Sequence, residues 1–582
     1  MDDLLEQIQN TEDICIQAYA DDTLLMIAHK NSDRIAEIAN RELEKIGRWS
    51  NMYKQPLNYH KCEAIVLTRK NRRSQLQRTI RVKINGKNIR NVQYLKYLGV
   101  FIDRSLNWHY HINYACNKAV ERSNLLYSIT RNTWGLDSRN TKLIYLQAIE
   151  PAILYGVQAW FEALGNKHVQ KKLLSTQRKS AIRISKSYRT APTDAILLIS
   201  GLTPIHLKAK QITWNWYIIN KHNEISDDNI EELQRKGELP PDRQKNLLKI
   251  LKTDIDTELK TINSIRDPKI NRRYETDMEF TTNANNNNSQ MITAYTDGSK
   301  NENGVGSGVV VRKGERTLYQ AALRLGEECS ITQAEQWAIL KAISYVNTHH
   351  PTTKNLQIYT DSRVALHTLN RMEPKTKLTA ELIATANDMG KRMSISFNWI
   401  PAHKGYEGNE LADKLAKMAT GNDKTTYNRL PISYIHNYIK EETHILWQQE
   451  WEGSHTGRLC YRFLPTIKGR LQNKKLQPTF ELTQCLTGHG AFNSYLHRFG
   501  KRDSNRCELD TENEETVHHF LFDCKKYDNL RTHLEKTSIE EGFNWPPGDS
   551  NLFSNNKLLK ALTKFVQDCG ALNPSLNRTQ QT

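Results

Sequence analysis

Cysteine is scarce and follows no disulfide pattern: nine are scattered over 582 residues. That excludes a disulfide-stapled secreted scaffold. No charged-then-apolar leader opens the sequence, and it contains no run of about 18 apolar residues. Neither a signal peptide nor a membrane span is expected, so the chain reads as a soluble intracellular protein of nucleus or cytoplasm, without a membrane partner. Acid is missing from two long stretches. None lies between Glu63 and Asp103, where Lys and Arg recur from Arg69 to Arg90 and on to Lys96. None lies in "KHVQKKLLSTQRKSAIRISKSYR", from Lys167 to Arg189. The second stretch predicts a helix with Leu173, Leu174 and Ile182 inside and a basic face outside. Lys plus Arg number 82 against 64 Asp plus Glu, a net charge of +18. That excess suits a polyanion, nucleic acid first; the plainer alternative is a solvated basic surface.

The fold class is multidomain α/β, in four parts and a linker. Residues 1–120 mix short strands and helices, with turn signals at "NGK" and "YLGV". Residues 121–280 read mostly as helices. The Asn-rich tract at 281–290 has nothing to pack and reads as a linker. Residues 291–420 alternate strands and helices, and 421–582 form a basic, mainly helical end. No internal repeat is present.

Within the first part, "ICIQA" and "TLLMIA" are strand candidates, with "YADD" between them. This predicts a hairpin that lifts Asp21 and Asp22 to its tip. Two carboxylates so placed repel one another unless a cation or base compensates, whereas a plain turn prefers Asn-Gly or Asp-Gly. Tyr19-Ala20-Asp21-Asp22 resembles the catalytic hairpin of a reverse transcriptase palm. The surrounding sequence is similar to non-LTR retrotransposon polymerases of the Jockey and R1 kind. "LNYHKCEAIVLTR" (57–69) resembles the next palm motif, with Lys61 in its lysine position. "LKYLGVFIDRSLNWHYHI" (95–112) resembles the primer-grip region, and residues 173–205 the thumb-like connection. The resemblance implies a partial palm with a helical thumb. In that family a further aspartate lies well upstream, and only 18 residues precede Tyr19 here. Polymerase chemistry needs two metals gripped by carboxylates from separate strands. Asp21 and Asp22 are therefore expected to be vestigial ligands, and the chain alone is not expected to polymerise DNA. "MDDLLEQI" resembles interior sequence of the family, as in a 5′-truncated insertion or a partial gene model.

The strand-rich part carries a second constellation. "ITAYTDGSK" (292–300) reads as a strand ending in Asp297, and "SITQAEQWAILKAI" (330–343) as a helix with Glu335 in its first turns. In that helix Ala334, Trp337, Ala338 and Ala342 share one face. "NLQIYTDS" (355–362) reads as a strand ending in Asp361. "SISFNWIPAHKGYEGNELADKLAKMA" (394–419) reads as a strand, a loop with His403, then a helix carrying Asp413. Acids at strand ends and helix starts can converge at one edge of a sheet. "YTDGS", "AE", "TDS" and "HxGxxGNExAD", in that order, resemble type-1 RNase H. The resemblance implies a mixed-sheet RNase H-like fold and a two-Mg²⁺ site, with Mn²⁺ as an alternative. Asp297 would bridge the metals, Glu335, Asp361 and Asp413 would complete the cage, and His403 would assist proton transfer or product release. Asn409 and Glu410 match positions near the substrate, and Ser330 and Thr332 match positions that contact the RNA strand. The chemistry needs these residue types: Mg²⁺ prefers hard carboxylate oxygens, and phosphodiester hydrolysis needs an activated water and a stabilised leaving oxygen. The implied reaction cuts the RNA strand of an RNA–DNA hybrid.

Near the end, "CLTGHGAFNSYLHRF" (485–499) precedes "CELDTENEETVHHFLFDC" (507–524). The pair resembles the terminal Cys/His motif of the same elements. Cys507, His519 and Cys524 fit Zn²⁺ ligands, with Asp510 at the second cysteine position and His518 and His489 as substitutes. A carboxylate can ligate Zn²⁺, but a Cys-to-Asp change more often marks a metal-free site. A Zn²⁺ site and a small helical hairpin with buried cysteines both remain open. Lys468, Arg470, Lys474 and Lys475 are candidate nucleic-acid contacts. The expected function is thus an RNase H endonuclease acting on RNA–DNA hybrids and binding other nucleic acid. The alternatives are a non-catalytic nucleic-acid-binding remnant, or a fragment of a full RNA-directed DNA polymerase. The sequence does not fix the oligomeric state.

Overall fold

The apolar residues of "ICIQAY" and "DTLLMI" produce the expected hairpin. Strand Ile14–Tyr19 pairs antiparallel with Asp22–Ile27, and Tyr19 sits opposite Asp22, so Ala20 and Asp21 form the turn. Ile14 and Ile16 face inward against Ile38, Ile46 and Trp49 of helix Ser32–Met52. That helix starts at Asn31, whose side chain accepts from the Asp33 N–H. The two turn signals also close hairpins, Lys83–Ile84 with Lys87–Asn88 and Tyr94–Tyr97 with Val100–Asp103.

The structure is a computed structural model that describes residues 2–8, 10–67, 79–127, 129–130, 135–257, 272–279, 291–371 and 373–573. The Asn-rich tract at 281–290 and part of the first acid-free stretch lie outside them. Two units form: residues 1–209 with 447–582, and residues 210–446. These units cross the divisions read from the sequence.

In the first unit the basic helix runs Lys167–Ser185. Leu173 is buried as expected, but Leu174 and Ile182 are only half-buried, and the inner face also takes Thr176, Gln177 and Ser180. Arg178 is not part of a free basic face: it donates to the carbonyls of Arg189 and Ala191 and to Thr193. Arg470 corrects another expectation. It is buried and donates to the Ile199 carbonyl at the end of helix Thr193–Ser200, where Lys142 also donates to the Gly201 carbonyl at 2.7 Å. Two cations there satisfy carbonyls that a helix end leaves unpaired. Burial, with Arg470 alongside, lowers the Lys142 ammonium to about 8. Segments 271 residues apart are thus fastened together, as others are by Ser138 to the Pro478 carbonyl (2.8 Å) and Thr483 to the Ser185 carbonyl (2.7 Å). Lys468, Lys474 and Lys475 stay exposed.

The second unit is built on a seven-stranded mixed sheet. Its elements are β1 (Glu275–Asp277), β2 (Ile292–Asn301), β3 (Gly304–Lys313), β4 (Arg316–Leu325), α1 (Ile331–His349), β5 (Asn355–Thr360), α2 (Arg363–Leu369), α3 (Lys377–Met389), β6 (Ser394–Trp399), α4 (Glu407–Ala419) and β7 (Thr425–Tyr427). The strand order is β7-β4-β3-β2-β5-β6-β1. β2, β3 and β4 form an antiparallel meander, and β5, β6 and β1 extend it in parallel beyond β2. β3, "GVGSGVVVRK", is buried on both faces through its first eight residues. It can be, because its residues are Gly, Ser and Val and helices cover both sides. Ile339, Ile343, Leu356, Ile358, Leu382 and Phe397 are fully or nearly fully inside the same core. Burial of each such side chain contributes about 1.5–3 kcal/mol. Asp256, fully buried, accepts from Gln333 of α1 (2.8 Å) and from the Leu378 N–H at the start of α3 (3.0 Å). A segment outside the strand-rich stretch therefore pins two of its helices. Among the described residues no helix is long and apolar enough to cross a membrane.

Candidate active site

Register places the first two acids side by side. Thr296 of β2 pairs with Thr360 of β5, so the next residues, Asp297 and Asp361, are neighbours. β2 does not end at Asp297, as the sequence suggested. It continues to Asn301 because β3 keeps pairing with it, Asp297 opposite Gly308, after β5 has stopped at Thr360. Asp297 therefore stands where its parallel neighbour leaves the sheet.

Two glycines let helices close on this point. A Cβ on Gly298 would lie 2.8 Å from the Glu335 backbone nitrogen, so only glycine permits α1 to bring Glu335 to β2. Ser307, opposite Gly298, donates to the Ala334 carbonyl at 2.6 Å and ties the same turn down. A Cβ on Gly308 would lie 1.9 Å from the Ala412 carbonyl oxygen, which shows how closely α4 lies on the other face. Through that contact α4 delivers Asn409 and Asp413.

Ligating oxygens of Asp297, Glu335 and Asp361 lie within 4.8 Å of one another. Asp413 joins from α4 and adds to the charge on Asp297; its other neighbour is Lys417, 2.7 Å away one turn on. Burial, then the charge of Asp361, pushes the Asp297 carboxyl up to about 7. Burial, then the charges of Asp297 and Asp361, holds Glu335 well above the usual carboxylate range. Asp361 is raised by burial, against an opposing hydrogen bond from Asn409 and the nearby His403. Buried like charges at this spacing disfavour ionisation unless a cation compensates. Glu335 Oε2 and Asn409 Oδ1 are both buried without a hydrogen-bond partner. An unpartnered buried carboxylate oxygen in a residue grouped with two other acids fits a hard divalent cation better than it fits a closed polar core.

The remaining expected residues fall around this group. Asn409, in the first turn of α4, reaches Asp361. His403 is exposed on the loop before α4, with φ of +53°, and its charge bears on Asp361. Ser330 is the N-cap of α1 and shares a capping box with Gln333, so its hydroxyl already has a structural partner. Thr332 is half-buried in the first turn. The sequence reading missed Trp399, whose indole N–H donates to the Asp361 carbonyl at 3.0 Å. Its place at the end of β6, opposite Thr360, was the available signal.

Two other groups were expected. Asp21 and Asp22 sit exposed at the hairpin tip as predicted, and Lys61 is exposed. Among the described residues no third ligating side chain gathers with these aspartates. Cys507, His519 and Cys524 do converge, buried, with ligand atoms within 4.8 Å of one another. Asp510 is outside that group and hydrogen-bonds Asn513 at 2.9 Å. Neither substitute histidine joins: His518 is exposed beside Asp523, and His489 contacts Thr190 and Tyr495.

Comparison with known proteins agrees with the strand-rich region. The RNase H family model matches residues 289–420. The retrovirus-related Pol polyprotein of type-1 retrotransposable element R1 3 of Nasonia vitripennis is 24% identical over 231 residues, 38% of this chain and 60% of that protein. The RNA-directed DNA polymerase of mobile element jockey of Drosophila melanogaster is 29% identical over 177 residues, 30% of this chain and 18% of that protein. The chain thus spans less than two thirds of the length of either relative. An N-terminal RNase H domain from Mycobacterium tuberculosis, solved as a fusion with maltose-binding protein, is 20% identical with a TM-score of 0.20, covering 22% of this chain and 98% of that one. Residues 289–420 therefore form an RNase H domain, in a chain homologous to the Pol polyproteins of R1 and jockey non-LTR retrotransposons.

Proposed function

We propose that this chain is an endonuclease that hydrolyses the RNA strand of RNA–DNA hybrids, with two Mg²⁺ ions held by Asp297, Glu335, Asp361 and Asp413. The observation that carries the reading is the buried Glu335 carboxylate: one of its oxygens lies within 4.8 Å of ligating oxygens of Asp297 and Asp361, and its Oε2 has no hydrogen-bond partner. Bound divalent cations would supply an activated water and stabilise the leaving 3′-oxygen. The chain's own groups do the rest. Asp297, whose carboxyl feels the charges of both Asp361 and Asp413, would be central in holding the ions. Asn409 orients the Asp361 carboxylate, and Trp399 fixes its backbone. His403, exposed on its loop, is free to take the proton that the attacking water gives up, while the leaving 3′-oxygen gains its proton from solvent. Lys417 pairs with Asp413, and a cation held by Asp413 would have to compete with that ion pair. RNA is distinguished from DNA through its 2′-hydroxyl, for which Ser330, Thr332 and Asn409 are the candidate contacts.

The test is cleavage of an end-labelled RNA–DNA hybrid by the purified chain in Mg²⁺, beside Asp361→Asn. RNA-strand cutting that disappears in the variant supports the enzyme. Hybrid binding without cutting supports the alternative, a nucleic-acid-binding remnant, which the +18 net charge favours.

A further inference from the structure

Arg363 lies near the acids and has no part in the proposed hydrolysis. It opens α2 two residues after Asp361 and is exposed. Its guanidinium lies 3.9 Å from the centroid of the Trp399 ring. That ring is itself fixed, because its N–H donates to the Asp361 carbonyl. The Arg363 backbone N–H donates to the same carbonyl at 3.2 Å. Backbone, indole and guanidinium therefore form one cluster around the carbonyl of a site acid.

Several other arginines spend their donors internally. Arg178 serves two carbonyls, Arg470 serves Ile199, Arg531 serves Leu521 and Cys524, and Arg312 pairs with Glu407. Among the described residues the Arg363 guanidinium takes part in no hydrogen bond or ion pair. Stacking uses its flat face and leaves the in-plane N–H fork uncommitted, the geometry that suits a phosphate bidentately. A long side chain held by an aromatic face also has less freedom to lose on binding. The four acids repel a phosphodiester backbone, so a fixed cation two residues from Asp361 is where attraction is needed.

We infer that Arg363, held ready on Trp399, binds a backbone phosphate of the hybrid beside the reacting bond. This inference rests on the hybrid as ligand, as proposed above, but its test reads binding rather than cleavage. Binding of a fluorescein-labelled RNA–DNA hybrid to the full chain is followed by anisotropy across a salt series. A Glu335→Gln background prevents hydrolysis. Adding Arg363→Gln is expected to weaken binding about five-fold at moderate salt and to flatten the log K against log [salt] slope by about one. Arg363→Lys keeps the charge and should keep the slope while losing part of the affinity. Trp399→Leu should weaken binding with the slope retained. A purely structural Arg363 would instead lower the melting temperature of the glutamine variant and leave the slope alone; that result overturns the inference, as does unchanged binding. Weakened binding in Arg363→Gln beside a wild-type chain that never cuts would sustain the phosphate contact and sink the enzyme. A chain that does not bind the hybrid at all sinks both.

Discussion

Gly308 of β3 lies directly against the carbonyl of Ala412 in α4, so close that a Cβ would stand 1.9 Å from that oxygen. The neighbouring atoms are helix backbone, which cannot swing aside. Gly308→Ala must therefore push α4 off the sheet, and with it Asn409 and Asp413. Overpacking of this kind costs about 1–3 kcal/mol. Gly308→Ala is expected to melt several degrees lower and to lose most RNA-strand cleavage. Lys313→Ala, at the exposed end of the same strand, should do neither. Normal cleavage by Gly308→Ala would show that α4 need not sit where it does.

Raised carboxyls make metal-free stability depend on pH in a defined direction. Asp297 titrates near 7 and Glu335 well above its ordinary value, so the folded chain holds protons that the unfolded chain has released. Stability from these groups is full below the unfolded carboxylate range and is lost as pH rises through the folded values. Glu335→Gln mimics the protonated acid. In EDTA it should match wild type at pH 5 and melt higher at pH 8, while abolishing cleavage. Mg²⁺ needs the ionised acids, so it should raise the wild-type melting temperature at pH 8 and barely at pH 5. A lower melting temperature for the glutamine variant at pH 8 in EDTA would contradict the crowding of charge.

Arg470 separates a structural from a nucleic-acid role for the basic tail. Its guanidinium satisfies the Ile199 carbonyl from a buried position, and each buried group left unpaired costs about 1–3 kcal/mol. Arg470→Met is expected to shift the urea unfolding midpoint of the unit it fastens down, with hybrid affinity unchanged. Intact stability with weakened affinity would return Arg470 to the surface role read from the sequence.

The meeting of Asp297, Glu335 and Asp361 was legible because the sequence places them at strand ends and a helix start, and such ends can converge at one edge of a sheet. What holds them was less legible. Gly298 and Gly308 matter through atoms on other elements, and a glycine in a strand looks like any weak point. Trp399 reads as one more apolar strand residue until β6 is placed beside β5. β1 and β7 have three residues each, too few for alternation to show. Arg470 was misread because a buried helix-capping arginine and a phosphate-binding one look alike within a run of Lys and Arg. Asp256 acts across 77 residues of chain on Gln333, and no local pattern encodes that.

The cysteine cluster yields the remaining prediction. Cys507 and Cys524 sulfurs stand 3.8 Å apart. Two thiolates on one tetrahedral Zn²⁺, each at about 2.3 Å, stand about 3.8 Å apart as well. His519 Nε2 is buried without a partner, as an empty ligand would be, and burial holds the Cys524 thiol up at about 11. A bound cation would remove that cost by taking the thiolate. Two thiols and one imidazole are three of the four ligands that Zn²⁺ takes; with Asp510 outside the group, water would be the fourth, and the metal-free hairpin is the alternative under test. Co²⁺ added to the reduced chain is expected to give the visible and near-ultraviolet bands of tetrahedral thiolate coordination. Cys507→Ser should remove them, Zn²⁺ should displace them, and Asp510→Cys should bind more tightly by supplying a third sulfur. A colourless titration, with both thiols free to react with a thiol reagent before and after Zn²⁺, would establish the cluster as packing alone.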